Sequence, residues 1–143
     1  MTSAAHVQPV FSWRLRVYWE DTDAGGVMYH AGYLRFLERA RTEWLRARAL
    51  GQRELREDLG VLFVVRGIDV EFDKPARLDD ELDATVALAH RRGASLDLQQ
   101  TLRRVPAGEI LTHAQVRVAC IDAQTWQPRR IPEQVAALIE GKS

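Results

Sequence analysis

From Val61 to Ile121 the chain reads as four strands in succession, and only one long helical pattern precedes them. Val61 to Phe72 begins as a continuous apolar run and then alternates, with Ile68, Val70 and Phe72 set against Asp69 and Glu71. Pro75 ends that run. Glu81 to His90 alternates through Leu82, Ala84, Val86 and Leu88. After the Arg92-Gly93 turn, Ser95 to Arg104 continues through Leu96, Leu98 and Leu102. Pro106-Ala107-Gly108 turns the chain again into Glu109 to Ile121, with Ile110, Ala114, Val116, Val118 and Cys120 on one face. Tight turns make antiparallel neighbours, and a half-buried sheet needs a cover for its apolar face. The helix predicted over 31–50 supplies one, with Tyr33, Leu37, Ala40 and Trp44 at helical spacing. The fold class is therefore α+β, an antiparallel sheet wrapped around one long helix.

The flanks fill in the rest. Residues 1–11, small and polar with Pro9, read as a flexible N-terminal arm, and 12–143 as a single domain. A first strand is predicted over Arg14–Trp19, with Leu15, Val17 and Trp19 on one face. Gly51 is placed to stop the long helix, a short helical piece follows over Gln52–Leu59, and Pro132 opens a last helix.

Lys plus Arg and Asp plus Glu number 20 each, so no basic excess points to nucleic acid. The lone Cys120 lies in an apolar strand pattern and reads as a small buried hydrophobe in a reducing, cytoplasmic protein. No apolar run is long enough to span a membrane. The four histidines lack metal-ligand spacing, no Gly-x-Ser-x-Gly occurs, and no glycine pattern suggests a nucleotide loop. No cofactor or metal is implied.

What remains is Tyr18-Trp19-Glu20-Asp21-Thr22-Asp23-Ala24-Gly25-Gly26-Val27-Met28-Tyr29-His30, between first strand and long helix. Asp21 and Asp23 are two apart, so an extended backbone sends them to opposite faces and only one faces a pocket. Gly25-Gly26 permits conformations closed to other residues, and the loop empties into a helix N-terminus that favours negative charge. Such residues also serve as ordinary turns and caps.

This stretch resembles the signature of the 4-hydroxybenzoyl-CoA thioesterase family, most closely its YbgC-type acyl-CoA thioesterases associated with the Tol–Pal system. The resemblance runs from Val17 through Glu38-Arg39-Ala40-Arg41-Thr42-Glu43, Phe72-Asp73-Lys74-Pro75 and Arg92-Gly93-Ala94-Ser95 to Pro128-Arg129-Arg130. It implies a hotdog fold and hydrolysis of acyl-CoA thioesters, with acyl carrier protein thioesters as a further substrate class. It makes Asp23 the catalytic carboxylate, as nucleophile or general base. The N–H groups around Tyr29 and His30 would stabilise an oxyanion, and the His30 side chain would orient substrate or water. Arg91 and Arg92 are candidates for the phosphates of coenzyme A. Trp19, where the family often has tyrosine, is a substrate-contact candidate without the hydroxyl. A homodimer or homotetramer is expected, because one small sheet leaves edges and one side of the pocket open. Two alternatives compete: a catalytically silent acyl-thioester-binding or scaffold protein of the Tol–Pal system, and a hotdog hydratase or dehydratase. The seven-residue separation of Asp23 and His30 fits the hydratase pattern poorly.

Overall fold

The long helix α1, His30–Arg46, lies against three strands of a five-stranded antiparallel sheet in this computed structural model, which describes residues 10–141. The strands are β1 (Phe11–Arg16), β2 (Val61–Phe72), β3 (Glu81–Arg91), β4 (Ser95–Val105) and β5 (Ile110–Asp122), in the order β1-β3-β4-β5-β2. A short helical segment made of α2 (Gln52–Glu54) and a π-turn (Leu55–Leu59) links α1 to β2, and α3 (Glu133–Ile139) closes the chain. This is the hotdog arrangement expected from the sequence.

The apolar stripe of α1 explains the assembly. Tyr33, Leu37, Ala40 and Trp44 are all buried, joined by Phe36 and Leu45. They meet Leu82, Ala84, Val86, Leu98 and Leu102, which alternate along β3 and β4 on the inner face. Burying each large apolar side chain contributes about 1.5–3 kcal/mol.

Several boundaries differ from the reading of the sequence. β1 starts at Phe11, which already pairs with Val86, and ends at Arg16; residues 1–9 of the expected arm lie outside the described residues. Trp19 does not continue the strand. It opens a 3₁₀ turn, Trp19–Asp21, and is 80% exposed. α1 stops at Arg46 rather than Leu50, because Ala49 takes a left-handed conformation and Leu50 N–H reaches back to the Leu45 carbonyl. Gly51 instead precedes α2. On β5 the expected inward Ile110 is exposed, because a bulge shifts the register with β4 and buries Leu111 and Thr112.

A second bulge, between Val65 and Gly67, reverses the alternation of β2. Val65, Ile68 and Phe72 pair with the inward-facing Val118, Val116 and Thr112, yet all three remain exposed. α1 packs on β1, β3 and β4. The inner face of the β2 edge therefore carries a partly uncovered apolar stripe, which α1 meets at Phe72 through the His30 and Tyr33 rings.

Candidate active site

The chain between β1 and α1 is a small hairpin tied down at both ends by Asp21. The Asp21 carboxylate accepts the Tyr18 N–H at 2.8 Å, and its backbone carbonyl accepts the Tyr29 N–H at 3.0 Å. The side chain is buried, with the Arg35 guanidinium 3.8 Å away. Thr22 bridges Met28, and Met28 N–H donates to the Ala76 carbonyl at 2.7 Å. Ala76 N–H in turn donates to the buried Tyr33 hydroxyl at 3.0 Å. The hairpin is thus locked to α1 through the strap 73–80.

At the hairpin tip, Asp23 N–H donates to the Val27 carbonyl and Gly26 N–H to the Asp23 carbonyl, with Gly26 at φ +80°. That left-handed turn suits glycine. Asp23 Oδ1 accepts the Gly25 N–H at 2.8 Å. A Cβ on Gly25 would stand 3.3 Å from the same oxygen, so a side chain there crowds the carboxylate. The other carboxylate oxygen of Asp23 has no hydrogen-bond partner among the described residues and faces solvent. The two aspartates are inequivalent, as expected, but through a 3₁₀ turn followed by a hairpin, not through strand alternation.

Asp23 and Trp19 line one open depression of about 360 Å³ with Thr22, Ala24, Gly26 and Leu78. Tyr29 and His30 stand at the start of α1, both exposed, and the His30 ring stacks on Phe72 with centroids 4.7 Å apart. Tyr29 N–H is spent on Asp21, whereas the N–H groups of His30 and Ala31 have no acceptor among the described residues. These are the orphan donors at the positive end of a 17-residue helix.

Arg91 and Arg92 stand elsewhere. β3 begins beside the hairpin strap and ends at Arg91, ten residues on, which at about 3.4 Å per residue is roughly 34 Å away. Within one copy the structure does not bring them to Asp23. Arg91 pairs with Glu140 at 2.9 Å and Arg92 with Asp97 at 2.7 Å. Cys120 is buried, and burial pushes its thiol up to about 11, which makes it a poor nucleophile.

One feature near the helix start has no signature in the sequence. The Thr112 hydroxyl, fully buried and directly opposite Phe72 in the β2–β5 ladder, has no hydrogen-bond partner among the described residues.

A family model described as the thioesterase-like superfamily matches residues 17–139. The acyl-CoA thioester hydrolase YbgC of Escherichia coli O6:H1 is 44% identical over 128 residues, covering 90% of this chain and 94% of that protein. The acyl-CoA thioesterase YbgC of Haemophilus influenzae is 42% identical over 127 residues, covering 89% and 92%. Among solved structures, one described as a probable thioesterase from Bartonella henselae superposes with a TM-score of 0.81 at 33% identity, covering 87% of this chain and all of that one.

Proposed function

The chain belongs to the thioesterase-like superfamily and is an acyl-CoA thioesterase; on that premise we propose that Asp23 and the first turn of α1 carry out the hydrolysis. The observation that supports this most is a solvent-facing carboxylate with one free oxygen beside two unspent N–H donors at a helix N-terminus. The thioester carbonyl oxygen accepts from His30 N–H, with Ala31 N–H next in line, and these donors stabilise the negative charge that develops there. Tyr29 then contributes through its side chain and its position as the residue before the helix, since its N–H is occupied by Asp21.

Asp23 either attacks the acyl carbon directly or takes a proton from a water that does so. On both routes one water is consumed, the C–S bond breaks, and the sulfur leaves as thiolate and is protonated. A thiolate departs readily, so no Ser–His–Asp relay is required. Either role uses the side chain as a carboxylate, the form that can attack carbon or accept a proton. The His30 ring, held flat on Phe72, borders the same helix start and orients the substrate or the water. Trp19 offers an exposed aromatic face beside Asp23 for the pantetheine arm, a part common to coenzyme A and acyl carrier protein.

The working unit is a homo-oligomer built on a dimer. β2 is a sheet edge whose inner face exposes Val65, Ile68 and Phe72, and an isologous partner covers such a stripe and satisfies the open edge together. Two β2 edges paired about a two-fold axis run antiparallel. Because β3 runs opposite to β2, the second copy's Arg91–Arg92 turn then comes to the end of the sheet where Asp23 lies. That geometry supports Arg91 and Arg92 as coenzyme A phosphate contacts across the interface.

Incubating the purified protein with a panel of acyl-CoAs and a thiol reagent tests the reading. Stoichiometric thiol release supports it. Binding of acyl-CoA without thiol release favours the catalytically silent acyl-thioester-binding reading instead. Sedimentation at micromolar concentration tests assembly, and a fully active monomer overturns it.

A further inference from the structure

The strap 73–80, between β2 and β3, walls the Asp23 depression through Leu78, yet its own apolar anchorage is slight. Ala76 is the one strap residue that is buried, and a methyl group contributes little. Asp79, at φ +71°, holds a left-handed conformation that costs a residue with a side chain. A segment with so little buried apolar surface opens locally unless polar ties hold it. Its ends are tied through the backbone: the Asp73 and Lys74 N–H groups donate to the Leu111 carbonyl, and the Asp79 N–H to the Val17 carbonyl. The middle lies against the hairpin that carries Asp23. Ala76 accepts the Met28 N–H, Arg77 bridges Val27, and the Leu78 N–H reaches the Gly26 carbonyl at 3.3 Å.

Arg104 closes that middle span. It stands on the inner face of β4, directly opposite the buried Leu82 and two residues beyond the buried Leu102. A charge at such a position is costly unless it is compensated. Here all three guanidinium nitrogens are used. Nη2 donates to the Pro75 carbonyl at 2.7 Å, Nε to Asp80 Oδ2 at 3.1 Å, and Nη1 to Glu109 at the β4–β5 turn. The same Asp80 oxygen accepts the Arg77 N–H at 2.9 Å. One side chain thereby grips both flanks of 75–80, and Glu109, paired also with Lys74 at 3.1 Å, holds it from behind. The planar fork is what reaches these acceptors together; a lysine ammonium brings the charge without the fork.

We propose that Arg104 is a positioning residue for the hydrolysis, clasping the strap so that 76–78 hold the Asp23 hairpin in register with the start of α1. The path is short and continuous. Arg104 fixes Pro75 and Asp80, Ala76 and Arg77 fix Met28 and Val27, and the Val27 carbonyl accepts the Asp23 N–H. The effect on turnover rests on the function proposed above, whereas the clasp rests on the geometry alone.

The test measures kcat and KM of full-length Arg104→Met, which keeps the aliphatic stem, with the acyl-CoA that the wild-type protein hydrolyses fastest. A displaced catalytic group slows turnover without loosening binding, so kcat should fall about 10–100-fold while KM stays within about twofold. Amide exchange at Met28 and Ala76 should quicken about tenfold or more, with the β3–β4 ladder unchanged. Arg104→Lys should recover part of kcat. In an Asp23→Asn background, Arg104→Met should lower the residual rate by less than about twofold, because the group that it positions is already disabled. An unchanged kcat in Arg104→Met overturns the proposal, as does a rise in KM alone, an equal loss in both backgrounds, or exchange that quickens throughout the ladder. Where the Asp23→Asn rate is too low to read, exchange at Met28 and Ala76 and the lysine variant decide. If Arg104→Met does not fold, Asp80→Asn takes its place under the same criteria, since it keeps an acceptor for the Arg77 N–H and removes the charge that faces Arg104. A fully active Asp23→Asn refutes the assignment of Asp23 and leaves the clasp to be judged by exchange; a dead Asp23→Asn beside a fully active Arg104→Met refutes the clasp's role alone.

Discussion

Replacing Gln100 by leucine probes a polar tie that crosses the core between α1 and the sheet. The amide makes three hydrogen bonds, to Arg41, Leu37 and Thr85. A hydrogen bond to a charged group is worth about 1.5–3 kcal/mol net, and the two carbonyls add less because both belong to regular secondary structure and keep that pairing. Leucine returns some apolar burial at this 1%-exposed site. The net loss should be about 2–3 kcal/mol, which for a domain of this size lowers Tm by roughly 6–12 °C. Thermal and urea unfolding at one fixed protein concentration measure it, since oligomer stability depends on concentration. The decisive form is a double-mutant cycle with Arg41→Leu. Removing both partners together leaves no orphaned guanidinium and no orphaned amide oxygen, so the double variant should be more stable than the sum of the single losses by about 1 kcal/mol or more. Additivity within about 0.5 kcal/mol would refute the coupling of Gln100 to Arg41.

Three further outcomes follow from the packing. Thr112→Val removes a buried hydroxyl with no partner and nearly keeps its shape, so stability should hold or rise by about 1 kcal/mol; a clear fall in Tm would show that the hydroxyl is satisfied in solution. Tyr33→Phe strips the acceptor from the Ala76 N–H, which should cost about 1–3 kcal/mol and loosen the hairpin that carries Asp23; unchanged stability and unchanged turnover contradict that role. Cys120, its thiol pushed up to about 11 by burial, should resist a thiol reagent at pH 8 until the protein unfolds. Because the unfolded thiol ionises near 8.5 and the folded one higher, the unfolded state is favoured progressively as pH rises between those values; a flat stability profile from pH 8 to 11 would exclude this.

The β-strands were legible in the sequence because period-two alternation and turn residues are local signals. β2 spans Val61–Phe72, as the alternation indicates, and β3 to β5 agree to within a residue or so at each end. The bulges were not legible. At Arg66 and Leu111 one extra residue reverses or shifts the inward face, and nothing in the residues themselves marks which strand absorbs the extra length. The same limit hid the state of Trp19, which fits a strand by hydrophobicity but follows Val17 into a 3₁₀ turn set by the Asp21 carboxylate. Asp23 and the helix start were legible as a motif, because carboxylate, glycines and helix N-terminus are contiguous. The Gln100–Arg41 pair was not: the two residues are 59 apart, and a polar residue at an inward strand position reads from sequence as a break in the pattern.

The central claim is that Asp23 reacts and Asp21 holds the loop. Asp23→Asn keeps the size and most of the hydrogen bonding of the side chain while removing its charge. It should lower kcat by about 10²–10⁴ with acyl-CoA affinity retained, the range for losing a positioned acid–base group. Asp21→Asn weakens the bond to the Tyr18 N–H and should destabilise the hairpin, yet the folded fraction should keep much more of the wild-type turnover. Measuring kcat and substrate affinity for both folded variants is the most direct test. A live Asp23→Asn beside a folded but inactive Asp21→Asn would contradict the account.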